Sequence, residues 1–230
     1  MLYCYIIKNI ISIGFSEKSD VKIRYYKLLK KQQKLIIKIK KNYYSIISPM
    51  INPYSLAISL TIMNILNIDI KKSLKYFKNI YPLDGRGKYY NIKRFNTSFK
   101  LIDETYNANP YSVKNAIKKL SESKNNTSKK YILLSDMLEL GKKSEFYHKD
   151  LSKIINKADI DKVFVYGDKI LNTYKKIKIE KRGNILQNKS DFDEVFSNII
   201  SKNDILMMKG SNAMGLNQIV KQLRRGTNVI

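Results

Sequence analysis

The chain is 230 residues long, enough to bury a sizeable core in one large domain or one and a half ordinary ones. Apolar residues make up 43% of it, as in a soluble globular protein, and its single cysteine, Cys4, excludes an internal disulfide framework and suits a reducing cytoplasm. The formal net charge of +25 invites a nucleic-acid reading. The lysines, however, are spread along the whole chain among abundant Ile, Asn and Tyr, the residues an AT-rich genome over-uses. Neither a DNA-reading motif nor a glycine-aromatic RNA motif accompanies them. The charge reads as compositional bias that binds polyanions weakly and salt-sensitively, and no specific nucleic-acid partner is expected.

The amino end, MLYCYIIKNIISIG, is apolar but short. Lys8 and Asn9 interrupt it, and it lacks a basic leader and a small-residue cleavage site, so neither a membrane span nor a signal peptide is expected. Residues 1 to 49 read as β-rich, with strands expected at Ile10 to Ile13, Val21 to Tyr26, Leu35 to Ile39 and Tyr43 to Ile47. The densest lysine cluster, Lys27 to Lys41, lies in this stretch and alternates with apolar residues, most clearly at Leu35, Ile37 and Ile39. Two helices follow, Tyr54 to Leu66 and Ile70 to Asn79, the second with Ile70, Leu74 and Phe77 on one stripe. Pro82 and the run Asp84-Gly85-Arg86-Gly87 mark a hinge, dividing the chain into residues 1–83 and 84–230.

From Phe99 the pattern is strand then helix, repeatedly. Strands are expected at Phe99 to Ile102, Tyr131 to Leu134, Val163 to Tyr166, Ile185 to Gln187 and Ile205 to Met208. Helices are expected at Pro110 to Glu122, Ser144 to Asn156, Asp191 to Ser201 and Leu216 to Arg224. In the first of these, Asn109 is a good N-cap, Pro110 fits the first helical position, and Val113, Ala116, Ile117 and Leu120 share one face. This alternation predicts an α/β fold with a parallel, doubly wound sheet.

Four polar or glycine-containing turns follow strands: DETYNANP at 103–110, SDMLELG at 135–141, YGD at 166–168 and KGSNAMG at 209–215. In a parallel sheet all four lie on the carboxyl edge, where ligands of open α/β sheets bind. Taken singly, an acidic residue after a strand is often only a helix cap. Lys209, Gly210 and Ser211 could cradle a phosphate or form an ordinary glycine turn. Arg86, between two glycines, could reach a phosphate bidentately. His148, the only histidine, sits on a helix and reads as a packing or capping residue. With no HxxxH, CxxC or Ser-His-Asp set, no metal site and no catalytic residue is assigned.

Taken together and in this order, these stretches resemble the Mur ligases, and within them the MurF type. DETYNANP is similar to that type's Asp-(Asp/Glu)-Ser-Tyr-Asn-Ala-Asn-Pro loop, with Thr105 for serine. SDMLELGKKSEFYH resembles its Gly-Asp-Met-Leu-Glu-Leu-Gly segment and following helix, with Ser135 for the first glycine. DILMMKGSNAMGL resembles the strand leading to its Lys-Gly-Ser loop, PLDGRG its Gly-Arg junction between domains, and IISIGFSEKSDVKI a central-domain strand. The resemblance implies a Rossmann-like C-terminal domain over 84–230, preceded by the back half of the central ATP-binding domain over 1–83. It implies a cytoplasmic, ATP- and Mg-dependent ligase joining D-alanyl-D-alanine to UDP-N-acetylmuramoyl-tripeptide through an acyl phosphate. By the same resemblance Arg86, Asp103, Glu104 and Asn107 bind nucleotide, while Asn109, Lys209 and Ser211 face the substrate. The sequence departs from the family in having no Gly-rich loop ending in Gly-Lys-Thr, and Met50 and Tyr54 stand where the family has a His…Asn pair. The P-loop, the magnesium ligands and the UDP-binding domain would precede Met1. The expectation is a truncated chain working with a separately encoded N-terminal half; the alternatives are an inactive remnant and a basic α/β nucleic-acid-binding module.

Overall fold

A computed structural model of the protein describes residues 10–28, 32–49, 51–123, 128–188 and 190–225. The chain divides into two compact units, Met1–Pro82 and Leu83–Ile230.

In the first unit, β1 (Ile13–Gly14), β2 (Val21–Leu28), β3 (Gln32–Ile39) and β4 (Asn42–Pro49) form a sheet in that order. The last three strands are antiparallel, and β1 runs parallel to β2. The alternation expected in β3 is present: Gln33, Leu35, Ile37 and Ile39 are buried and the intervening residues are not. Lys34 and Lys38 therefore lie on the opposite face, and Lys40 takes the left-handed conformation (φ 53°) in the turn to β4. Of the strand expected at Ile10 to Ile13 only Ile13 is in β1, which runs on to Gly14; the Ser12 N–H and hydroxyl before it are both given to the Asp20 carboxylate. Helix α1 (Pro53–Ile65) starts at Asn52, whose side chain accepts from the Tyr54 N–H, with Pro53 at the first helical position. Helix α2 (Ile70–Ser73) is capped by Asp69 and tightens into a 3₁₀ turn over Leu74–Asn79, where an α-helix was expected. Leu56, Ala57, Leu60, Ile70 and Phe77 pack on Val21, Ile23, Leu35, Ile37 and Ile46 of the sheet.

The second unit is built on β5 (Lys88–Arg94), β6 (Thr97–Glu104), β7 (Lys130–Ser135), β8 (Lys162–Tyr166), β9 (Arg182–Leu186) and β10 (Ile205–Lys209), in the spatial order β5-β6-β10-β7-β8-β9. Five strands are parallel, as the alternating pattern predicts. The sixth, β5, corrects that expectation: it is an antiparallel edge strand hairpinned to β6 through Phe95 and Asn96, both at positive φ. Tyr90 and Ile92 of β5 are fully buried while Asn91 and Lys93 are exposed, a strand pattern on a half-buried edge. Helices α3 (Pro110–Glu122), α4 (Ser144–Lys157) and the short α5 (Leu171–Tyr174) cover one face. They pack on Ile102, Ile132, Leu134, Val163, Val165, Ile205 and Met207. Helices α6 (Asp191–Ser197) and α7 (Leu216–Leu223) cover the other face, against Leu101, Tyr131, Leu133, Phe164, Leu206 and Met208. Neighbouring residues of each strand thus serve opposite cores, the mark of a doubly wound sheet. Helix α6 ends earlier than its apolar spacing implies because the Ser197 and Asn198 side chains both bond back to the Glu194 carbonyl, competing with the backbone.

Strand β10 lies between β6 and β7 yet leads to α7, whereas both neighbours lead to helices on the opposite face. The chain direction after the strands switches there, at the carboxyl ends of β6, β10 and β7, which is where open α/β sheets place their ligands.

Candidate functional site

Asp103 and Glu104 end β6, and the structure gives them different work. Asp103 is buried at 2% exposure. One carboxylate oxygen accepts the Gly85 N–H at 2.8 Å, and the other accepts the Thr105 N–H at 3.2 Å and the Thr105 hydroxyl at 2.6 Å. The Asp103 carbonyl also accepts the Gly87 N–H at 2.8 Å, and the Gly85 carbonyl accepts the Tyr106 N–H at 3.1 Å. The glycine turn is therefore laced to the loop after β6. Gly85 and Gly87 have φ of 78° and 81°, and a Cβ on Gly85 would lie 2.7 Å from the Tyr106 nitrogen, so no side chain fits there. Arg86, exposed between them, lays its guanidinium 4.0 Å from the centre of the Tyr106 ring.

Just before this turn, Asp84 accepts from Lys88 Nζ and the Tyr90 hydroxyl, each at 2.9 Å, and from Arg224 Nη1 at 2.7 Å. The bonds from Lys88 and Arg224 hold its carboxyl well below the usual carboxylate range. Burial, and after it the hydrogen bond to this carboxylate, pushes the Tyr90 phenol far up.

Glu104 keeps a quarter of its side chain in solvent (24%), whereas Lys209, its register partner on β10, is 1% exposed. Lys209 Nζ donates to the Asn107 carbonyl at 3.0 Å and lies 3.5 Å from Glu104 Oε2. Burial pulls the Lys209 pKa below that of an ordinary lysine, and Glu104 opposes the shift. Lys209 thus props the loop after β6 from beneath and fixes one oxygen of Glu104. The Asn107 side chain is turned back onto the Ala108 N–H at 2.7 Å.

Asn109 and Ser112 form a capping box that starts α3, so the Asn109 side-chain carbonyl is committed to the helix. Ser211 is buried; its hydroxyl accepts the Leu138 N–H at 2.9 Å and its N–H donates to the Asp136 carbonyl at 3.2 Å, joining the loops after β10 and β7. His148 Nε2 accepts the Met137 N–H at 3.0 Å and its Nδ1 faces the Ser144 carbonyl at 2.8 Å, the pattern of a neutral ring protonated on Nδ1. The histidine is a buried brace for that loop. Between the two loops the Ser135 hydroxyl is buried without a hydrogen-bond partner. A Cβ on Gly210 would lie 1.7 Å from it.

Of the candidate residues, Arg86, Glu104, Asn107 and Lys209 all belong to the β6 loop or to groups bonded or stacked on it. The side-chain oxygens of Asp103, Asn109 and Ser211 are spent on local structure. Tyr106 and Asp84 were not singled out as site residues from sequence; Tyr106 lies well downstream of Arg86 in the chain, and only the fold brings its ring against the guanidinium. No group of three or more His, Cys, Asp or Glu side chains able to hold a metal exists among the described residues. No helix among them is long and apolar enough to cross a membrane.

A doubly wound sheet with an acidic loop, a glycine-flanked arginine and a lysine at its switch point defines the class of protein to look for. The profile of the Mur ligase glutamate ligase domain matches residues 91–212, and the chain belongs to the Mur ligase family. It is 32% identical over 222 residues to the UDP-N-acetylmuramoyl-tripeptide–D-alanyl-D-alanine ligase of Rickettsia prowazekii, a match covering 93% of this chain and 47% of the relative. The Bacillus subtilis ligase of the same name is 32% identical over 153 residues, covering 64% of this chain and 32% of the relative. The structure of the Thermotoga maritima MurF ligase in complex with ADP shares the fold with a TM-score of 0.71 at 20% identity, over 93% of this chain and 48% of that one. The chain spans about half the length of the Rickettsia relative.

Proposed function

We propose that this chain supplies the closing half of an ATP-dependent ligase of peptidoglycan precursor synthesis, joining D-alanyl-D-alanine to UDP-N-acetylmuramoyl-tripeptide in the cytoplasm. The observation that carries the reading is the arrangement at the switch point, where Lys209 props Glu104 and the Asn107 loop while the Gly85–Gly87 turn presents Arg86 beside them. When bound, ATP would supply the phosphoryl group that activates the substrate carboxylate as an acyl phosphate; the dipeptide amine would then attack the acyl carbon, forming the amide bond and releasing inorganic phosphate. Glu104, with a solvent-facing carboxylate, would accept the ribose hydroxyls. Arg86 would leave its tyrosine perch to neutralise phosphate oxygens. Asp103 would act through the Gly85 turn by holding Arg86 in reach, and Lys209 and Asn107 would fix the loop. Asn109 and Ser211 would shape the substrate side through the α3 cap and the joined loops.

The described residues do not fit a magnesium site: around the β6 end Asp103 is consumed by the Gly85 turn and Thr105, and Asp84 by Lys88, Tyr90 and Arg224, which leaves Glu104 alone. The sequence likewise has no Gly-Lys-Thr loop. Both would come from a P-loop-bearing half acting with this chain.

The test is reconstitution. Co-expression with such a half should restore ATP-dependent joining of the dipeptide to the tripeptide precursor. Arg86→Ala and Glu104→Ala should each lower that activity roughly 30- to 1000-fold, the loss expected for about 2–4 kcal/mol of charge-assisted contact. Lys27→Ala, in the lysine-rich β2–β3 stretch, should match wild type. Activity undiminished by both site variants would remove these residues from the nucleotide site. If no P-loop half restores activity, the chain is an inactive remnant.

A further inference from the structure

Helix α1 has two apolar faces, and among the described residues only one has a partner. Leu56, Ala57 and Leu60 are buried against the first sheet. Tyr54, Ile58, Ile62, Ile65 and Leu66 recur at i, i+4, i+8, i+11 and i+12 on the other side, and are 43% to 62% exposed. Phe15 continues the stripe, half-exposed and edge-on to Tyr54 at 5.8 Å. Charge is missing as well: from Asn42 to Ile68 the sequence has no Lys, Arg, Asp or Glu, although the whole chain carries 44 basic residues. A helix apolar all round belongs in an interior, and a contiguous uncharged apolar patch marks a protein contact.

We propose that this stripe is the docking surface for the P-loop-bearing half of the ligase. The inference rests on the functional reading above, that such a half works with this chain. The match to the Rickettsia relative takes in 93% of this chain but 47% of that protein, so such an enzyme carries about as much polypeptide again to cover the stripe. Absence of charge disfavours a nucleic acid, which this lysine-rich protein would meet elsewhere. Burying Ile58 and Ile62 side by side provides the dry, charge-depleted centre typical of a lasting interface.

The experiment pairs the full chain with the part of the Rickettsia prowazekii ligase that it does not match, without nucleotide or substrate. Association is read by size-exclusion chromatography with light scattering and by titration. A 1:1 assembly is expected. Ile58→Asp/Ile62→Asp should weaken it at least about 100-fold, because two carboxylates would be buried unpaired. Ile58→Leu/Ile62→Leu should bind as wild type. Both sites are exposed, so circular dichroism melts of the variants should overlay that of the wild type. Failure to assemble, assembly indifferent to the aspartates, or a homodimer that the aspartates dissolve would each overturn the proposal. Glu104→Ala should assemble normally and lose only the joining activity, which separates failure of this surface from failure of the nucleotide site.

Discussion

Replacing Lys209 with methionine should leave the fold about as stable as before while disabling the loop above it. The ammonium is 1% exposed, 3.5 Å from Glu104 Oε2 and 3.0 Å from the Asn107 carbonyl. Two unit charges at that separation attract by about 5 kcal/mol at an effective dielectric of ~20. Glu104 keeps solvent on one side, which screens the pair further, and removing the ammonium from water costs several kcal/mol. The contributions nearly cancel. Methionine fills the same channel with an unbranched apolar chain, and the abandoned carbonyl belongs to Asn107, an exposed residue that water can reach. Urea denaturation should show a stability change within about 1.5 kcal/mol and an unchanged slope. Lys209→Ala, which leaves a cavity, should lose about 2–4 kcal/mol. In the reconstituted ligase Lys209→Met should raise KM for ATP more than it lowers kcat, since the group acts by positioning Glu104. A loss of more than about 3 kcal/mol for the methionine variant would show that the ion pair outweighs its desolvation and would refute the argument.

Three further outcomes follow from the geometry. Gly210→Ala should cost about 1–3 kcal/mol, because its Cβ meets the Ser135 hydroxyl at 1.7 Å; Ser135→Gly should recover most of the loss in the double variant, and Ser135→Ala alone should be neutral or stabilising, all read from urea midpoints. The Asp84 carboxyl is depressed in the fold, so its contribution is present above the unfolded carboxylate pKa of about 3.9 and is lost as pH falls through the lower folded value. Urea midpoints from pH 6 to pH 2 should therefore fall more steeply for wild type than for Asp84→Asn, by a modest amount because the side chain is 54% exposed. Limited proteolysis should leave a stable fragment beginning between Leu83 and Lys88; cleavage that strips β5 while the sheet survives would show that the edge hairpin is dispensable.

What could be read from the sequence was what is settled locally. The start of α3 is fixed by Asn109, Pro110 and a four-residue apolar face, and it forms as read. The inward positions of β3 follow from alternation alone. Strand β5 escaped because its turn, Phe95-Asn96, takes two positive φ angles without a glycine, and its burial exists only beside β6. The division of labour between Asp103 and Glu104 was also hidden. Strand alternation places adjacent carboxylates on opposite sides, but which one is consumed depends on the Gly85 N–H, eighteen positions earlier in the chain. The prop under Glu104 depends on a lysine from a strand 105 positions later.

The bonds around Asp84 and Asp103 also decide what the glycine turn can do. Two glycines flanking an arginine suggest a swivel, yet here Asp103 holds both glycine N–H groups and Arg224, the residue that ends α7, reaches back to Asp84. The turn is riveted to the sheet at both ends. The backbones of Arg86 and Glu104 therefore travel as two marks on one ruler: whatever displaces the second unit delivers both together, and only the Arg86 side chain has a swing left to make from Tyr106.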